Sequence, residues 1–88
     1  MSVYALIASE RARAVELRDA GRFRYVASDA DCPDHLRFTA LVEEVGEVAR
    51  ALHENSPDLL PELVQLAGIA CGWIDALLAQ APERVEAS

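Results

Sequence analysis

The chain has 88 residues, which makes one domain over residues 1–88 with room for only a small hydrophobic core. A hydrophobic fraction of 52% argues against disorder, and a net charge of -7 argues against nucleic acid as a partner, because phosphate repulsion must be overcome first. All 8 basic residues are arginine. Cys32 and Cys71 have neither the spacing of a zinc site nor the number of a disulfide framework.

Three helices are expected. The first covers residues 2–20, carries Leu6, Ile7, Ala14 and Leu17 among charged residues, and stops at Gly21. Residues 22–33 read as a polar loop. Within it Arg22, Phe23, Arg24, Tyr25 and Val26 alternate and can form a short extended piece.

The second helix is expected from an N-cap at Asp34 to His53. Phe38, Leu41, Val42, Val45, Val48, Ala49 and Leu52 form one apolar stripe at helical spacing. At ~100° per residue, Glu43, Glu44 and Glu47 fall on the opposite side, beside Ala40 and Ala51. His35 and His53 read as surface residues at the helix ends.

Asn55, Ser56, Pro57 and Asp58 make a turn, with Ser56 and Pro57 or else Pro61 opening a third helix that runs to Gln80. Leu63, Val64, Leu66, Ile69, Cys71, Trp73, Ile74, Leu77 and Leu78 make it apolar nearly all round. Gln65 and Asp75 interrupt it, and Pro82, Glu83 and Arg84 follow, so a buried helix is expected rather than a membrane span. A helix apolar on every side needs cover on every side, which predicts a homodimer built on it, with Trp73 in the core or the interface. Gly68, Gly72 and Ala76 form a stripe of small residues, read as a close helix–helix approach or as room for a ligand beside Gln65. The N-terminal residues lack a basic region and a long apolar run, so no secretory leader and a cytoplasmic location are expected.

Positions three apart lie ~60° apart around a helix, so Glu44 and Glu47 can reach one ion, and so can Glu62 and Gln65. Carboxylates brought together on facing helices repel each other unless a cation sits between them. Hard cations such as Mg²⁺ prefer oxygen ligands. The plain alternative is a solvated acidic face, but Glu62 opens an otherwise apolar helix, where a lone acid is harder to read as surface.

The run Glu43, Glu44, Val45, Gly46, Glu47, followed by Glu62, Leu63, Val64, Gln65, resembles the E-E-x-x-E and E-x-x-D pattern of the MazG-like nucleoside triphosphate pyrophosphohydrolases. The likeness covers residues 38–78, and Gln65 stands where the pattern has an aspartate. The resemblance implies an all-α fold, dimeric or a dimer of dimers. It implies Mg²⁺-dependent (or Mn²⁺-dependent) cleavage of an NTP or dNTP between the α and β phosphates. By position it implies Glu44, Glu47, Glu62 and Gln65 as metal ligands and Glu43 as the group that orients or deprotonates the attacking water. Without lysine, phosphate contacts fall to arginines; Arg22 and Arg24 are the candidates, with Phe23 or Tyr25 placed to stack on a base. The alternatives are a catalytically weak or inactive nucleotide- or metal-binding module of the same fold, and a structural helical dimer.

Overall fold

A computed structural model describes residues 1–80, so Pro82, Glu83 and Arg84 lie outside it. Three helices account for most of it: α1, Val3–Asp19; α2, Asp34–His53; and α3, Leu59–Gln80. The fold is all-α, a three-helix bundle, and no strand forms among the described residues. The alternating stretch at residues 22–26 stays irregular.

Local chemistry explains the helix ends. The Ser2 hydroxyl accepts from the Ala5 amide at 3.0 Å and caps α1. At the other end Gly21 takes φ +81°, while its amide donates to Arg18 O and the Arg22 amide donates to Leu17 O. This paired closure needs a left-handed residue, which glycine adopts without a Cβ clash. Asn55 repeats the device after α2 at φ 51°, with its amide on Leu52 O and the Ser56 amide on Ala51 O. The Ser56 hydroxyl then accepts from the Asp58 amide at 3.1 Å, and α3 begins at Leu59, so Pro61 lies in its first turn. Asp34 is not the N-cap of α2. Pro33 holds that place with no side-chain cap, and Asp34 is the first helical residue.

Its carboxylate has other partners. Asp34 Oδ1 accepts from Arg37 Nη1 at 2.7 Å and from the Trp73 indole at 3.0 Å. Trp73 is thus half-buried and ties α3 to the start of α2, rather than lying in a core. Contact of Trp73 with Asp34 and of Glu62 with Glu44 makes α2 and α3 antiparallel neighbours.

Helix α3 is the axis of the bundle. Both α1 and α2 pack against it, and they do not pack against each other. The small-residue stripe is where this happens: Gly68, Gly72 and Ala76 are the buried residues of α3. A Cβ at Gly68 would meet Glu10 Cγ of α1 at 3.5 Å, an ordinary contact. One at Gly72 would meet Ala27 Cβ at 3.1 Å and the Ser28 amide nitrogen at 3.2 Å, so there the glycine admits the linker, not a helix.

The linker is pinned from both sides. Arg18 pairs with Asp29, whose second oxygen accepts from the Val26 amide at 3.0 Å. Arg37 is 2% exposed and donates to the Ala27 carbonyl at 2.7 Å and the Asp29 carbonyl at 2.6 Å.

The phase of α2 differs from the expected one. The residues it buries are Arg37, Glu44 and Ala51, with Leu41 and Val48 half-buried between them. This row, spaced four and three apart, faces α3 and the linker. Most of the expected stripe is turned outward: Phe38, Val42, Val45, Ala49 and Leu52 are exposed, and only its members Leu41 and Val48 face inward. On α3, Leu60, Leu63, Ile74, Leu77 and Leu78 are exposed too, so this helix is covered along one face only. It is long and apolar enough to cross a membrane by length and composition alone. Within one chain, the cover that an all-round apolar helix needs reaches only that one face. Two neighbouring helices can shield one strip of α3, and among the described residues the buried hydrophobic side chains are only the small ones of Cys32, Ala51 and Ala76.

Candidate functional site

Because α1 and α2 lean on α3 without meeting, a cleft of about 870 Å³ opens between them. Gln65, Gly68, Ile69 and Gly72 of α3 line its floor. Glu10, Arg11 and Arg13 stand on the α1 side, and Arg37, Ala40, Glu43 and Glu44 on the α2 side. The linker closes over it with Arg22, Phe23, Arg24, Tyr25 and Val26.

Glu44 is the unusual group. It is 9% exposed, and its Oε1 is buried with no hydrogen-bond partner. An orphaned buried carboxylate oxygen is costly, because water no longer solvates it and nothing replaces the water. Burial is the main cause that pushes the Glu44 carboxyl up to about 8. A proton shared with Glu62 adds to this, followed by the charges of Glu62, Glu47 and Glu10.

The other predicted acids are arranged around Glu44 rather than in one cavity with it. Glu43 is exposed on the cleft wall. Glu47 and Glu62 line a separate depression of about 40 Å³, together with Arg50, Glu54 and Asp58. There Arg50 lies 3.8 Å from the Glu47 carboxylate and 3.5 Å from that of Glu54. Glu44 lines the cleft and also feels the charges of Glu62 and Glu47. Gln65 faces the cleft, as do Arg22 and Arg24. The Arg24 guanidinium lies 5.3 Å from the centre of the Tyr25 ring, within cation–π range. His35 and His53 are exposed near the ends of α2.

Among the described residues, no group of three or more His, Cys, Asp or Glu side chains is placed to hold a metal ion as it stands. The donor chemistry nevertheless matches a hard divalent cation. An unpartnered buried oxygen on Glu44, with carboxylates from α1, α2 and α3 acting on it, is the environment that such an ion relieves.

Three functional candidates are not apparent from the acidic pattern: Glu10, Arg13 and Arg37. Arg13 donates to both oxygens of Glu10, at 2.8 and 2.6 Å, and this pairing is the main cause that raises its basicity. Their spacing of three on a helix suits an ion pair but does not reveal that the pair lines a cleft. Arg37 had a signal, since it falls in register with Leu41, Glu44, Val48 and Ala51. Cys32 is buried and donates weakly to the Pro33 carbonyl at 3.7 Å, and burial pushes its thiol up.

No family model, no curated protein and no solved structure matches this chain.

Proposed function

We propose that the cleft takes the phosphate chain of an NTP or dNTP with Mg²⁺ or Mn²⁺, and that the protein is a MazG-like pyrophosphohydrolase yielding a monophosphate and pyrophosphate. The observation that carries this reading is Glu44: a buried carboxylate, unpartnered at Oε1 and crowded by other acids, on the wall of a cleft that arginines also line. A solvated acidic face has none of these properties.

Glu44, Glu47, Glu62 and Gln65 would hold the cation. When bound, the cation supplies neutralisation of phosphate charge and activation of water. Glu43, exposed on the same wall, is the carboxylate free to accept a proton from the attacking water. Arg22 and Arg24 would meet the phosphates from the linker, with Phe23 or Tyr25 against the base. The chain would work as a homodimer, or a dimer of dimers, in the cytoplasm. The exposed apolar residues of α2 and α3 are what a second copy would cover.

A second reading is a nucleotide- or metal-binding module without turnover. Gln65 brings an amide where the pattern has a charge, and Glu47 and Glu62 line a depression apart from the cleft.

Incubation with a panel of NTPs and dNTPs plus Mg²⁺ or Mn²⁺, with pyrophosphate release as the readout, separates the two. Release that vanishes in Glu44→Gln and Glu47→Gln supports the enzyme. Cation-dependent thermal stabilisation without release supports the module. Neither release nor stabilisation sinks both.

A further inference from the structure

We propose that Glu10 of α1 supplies the negative charge that Gln65 lacks, so that the cation site is built from three helices rather than two. This rests on the cation reading of the Glu44 site.

Glu10 comes from a helix outside the acidic pattern, and only the packing of α1 on α3 brings it there. Its Cγ lies 3.5 Å from the Cβ position of Gly68, one helical turn beyond Gln65. Glu10, Gln65, Gly68 and Glu44 line the same cleft. The Glu10 side chain is 16% exposed, which is low for an acid on a surface helix. Independently of the acids as a group, Glu44 lines this cleft, and its Oε1 is buried with no partner. A charge at position 65 would have served that oxygen's cation from α3. The same charge arrives from α1, directly or through a water that the cation keeps.

Arg13 is the counter-ion in the free protein, held to both Glu10 oxygens and itself about half exposed. It neutralises Glu10 while no cation is bound and competes with the cation for it. A purely structural pair and a site residue therefore predict different things when Arg13 is removed.

The test is Mn²⁺ binding to the full chain, followed by the loss of the free-ion electron paramagnetic resonance signal, with helix content checked by circular dichroism. Glu10→Gln should weaken Mn²⁺ binding by about 10- to 100-fold, the range seen when groups supporting a metal site are lost. Arg13→Gln breaks the same ion pair but keeps the acid, and should tighten binding. Adding Gln65→Asp to Glu10→Gln should recover most of the loss, because the charge returns from the other side. If Glu10→Gln binds like the parent while Glu44→Gln does not, the role of Glu10 is overturned and the proposed site stands. If Glu10→Gln and Arg13→Gln weaken binding alike, the pair is structural and the proposal fails. If neither the parent nor Gln65→Asp binds Mn²⁺, the cation site itself is wrong, and the assignment of Glu10 falls with it.

Discussion

Arg37 and Ala27 are joined by a 2.7 Å hydrogen bond from the guanidinium Nε to the Ala27 carbonyl, and Ala27 in turn rests on Gly72. One buried cation on α2 thus holds the linker down on α3 and shapes the roof of the cleft. Arg37→Ala should cost about 2–3 kcal/mol, because it leaves two part-buried carbonyls without their charged donor. Arg37→Lys should recover little of this, since an ammonium cannot reproduce the planar fork that reaches both Ala27 and Asp29. Urea titration followed by helix signal checks both. An unchanged midpoint for Arg37→Ala would show that the linker does not depend on this residue.

The two glycines of α3 should respond differently to alanine. At Gly68 the new methyl makes ordinary contacts with Glu10 and Arg11, so the gain in helix propensity of about 0.5–1 kcal/mol should appear as higher stability. At Gly72 it would press on Ala27 Cβ and the Ser28 amide, both held by the Arg37 anchor. That crowding should cancel the gain or reverse it. Thermal melts of the two variants side by side test the contrast.

Glu44 sets a pH dependence of the cation-free protein. Its folded value of about 8 lies above its ordinary 4.5, so the folded state binds the extra proton between these limits. The stability that this proton provides is complete below about 4.5 and is lost as pH rises through about 8. Glu44→Gln removes the titration, so its melting temperature should show less decline across that window. At pH 8 it should exceed the parent by roughly 4–8 °C for each kcal/mol relieved. A parent whose melting temperature rises over the same window would contradict the buried-acid description.

The outward apolar rows should govern self-association. Val45 and Ile74 are 52% and 55% exposed in the single chain, so Val45→Lys and Ile74→Lys should change monomer stability by less than about 0.5 kcal/mol. Sedimentation equilibrium of the parent should report a dimer or tetramer, and either substitution should shift it to monomer. A parent that sediments as a monomer at high micromolar concentration would remove the second copy as the cover for this face.

Helix number and extent were legible from local signals. Gly21, Asn55 and Ser56 act within a few residues of themselves, so their effect survives any packing. Gly68, Gly72 and Ala76 also showed where α3 would be approached, since absence of a side chain is a local fact. The acids at 43, 44, 47 and 62 were visible as a pattern, but their division between the cleft and the smaller depression was not.

The phase of α2 was misread for a physical reason. Hydrophobic spacing marks the side of a helix that seeks cover, but which side gets it depends on what the chain has available. Here the anchors are polar: Arg37 on two linker carbonyls and Trp73 on Asp34. They rotate α2 so that Glu44 turns inward while Phe38, Val42, Val45 and Leu52 face out. By itself, then, the sequence determined three helices, their approximate extents and the acids they carry, because caps and turns are short-range. Only the tertiary structure decided that Glu44 is the buried acid and that α1 brings Glu10 to the same cleft. Both follow from long-range contacts onto α3, which no spacing along the chain encodes.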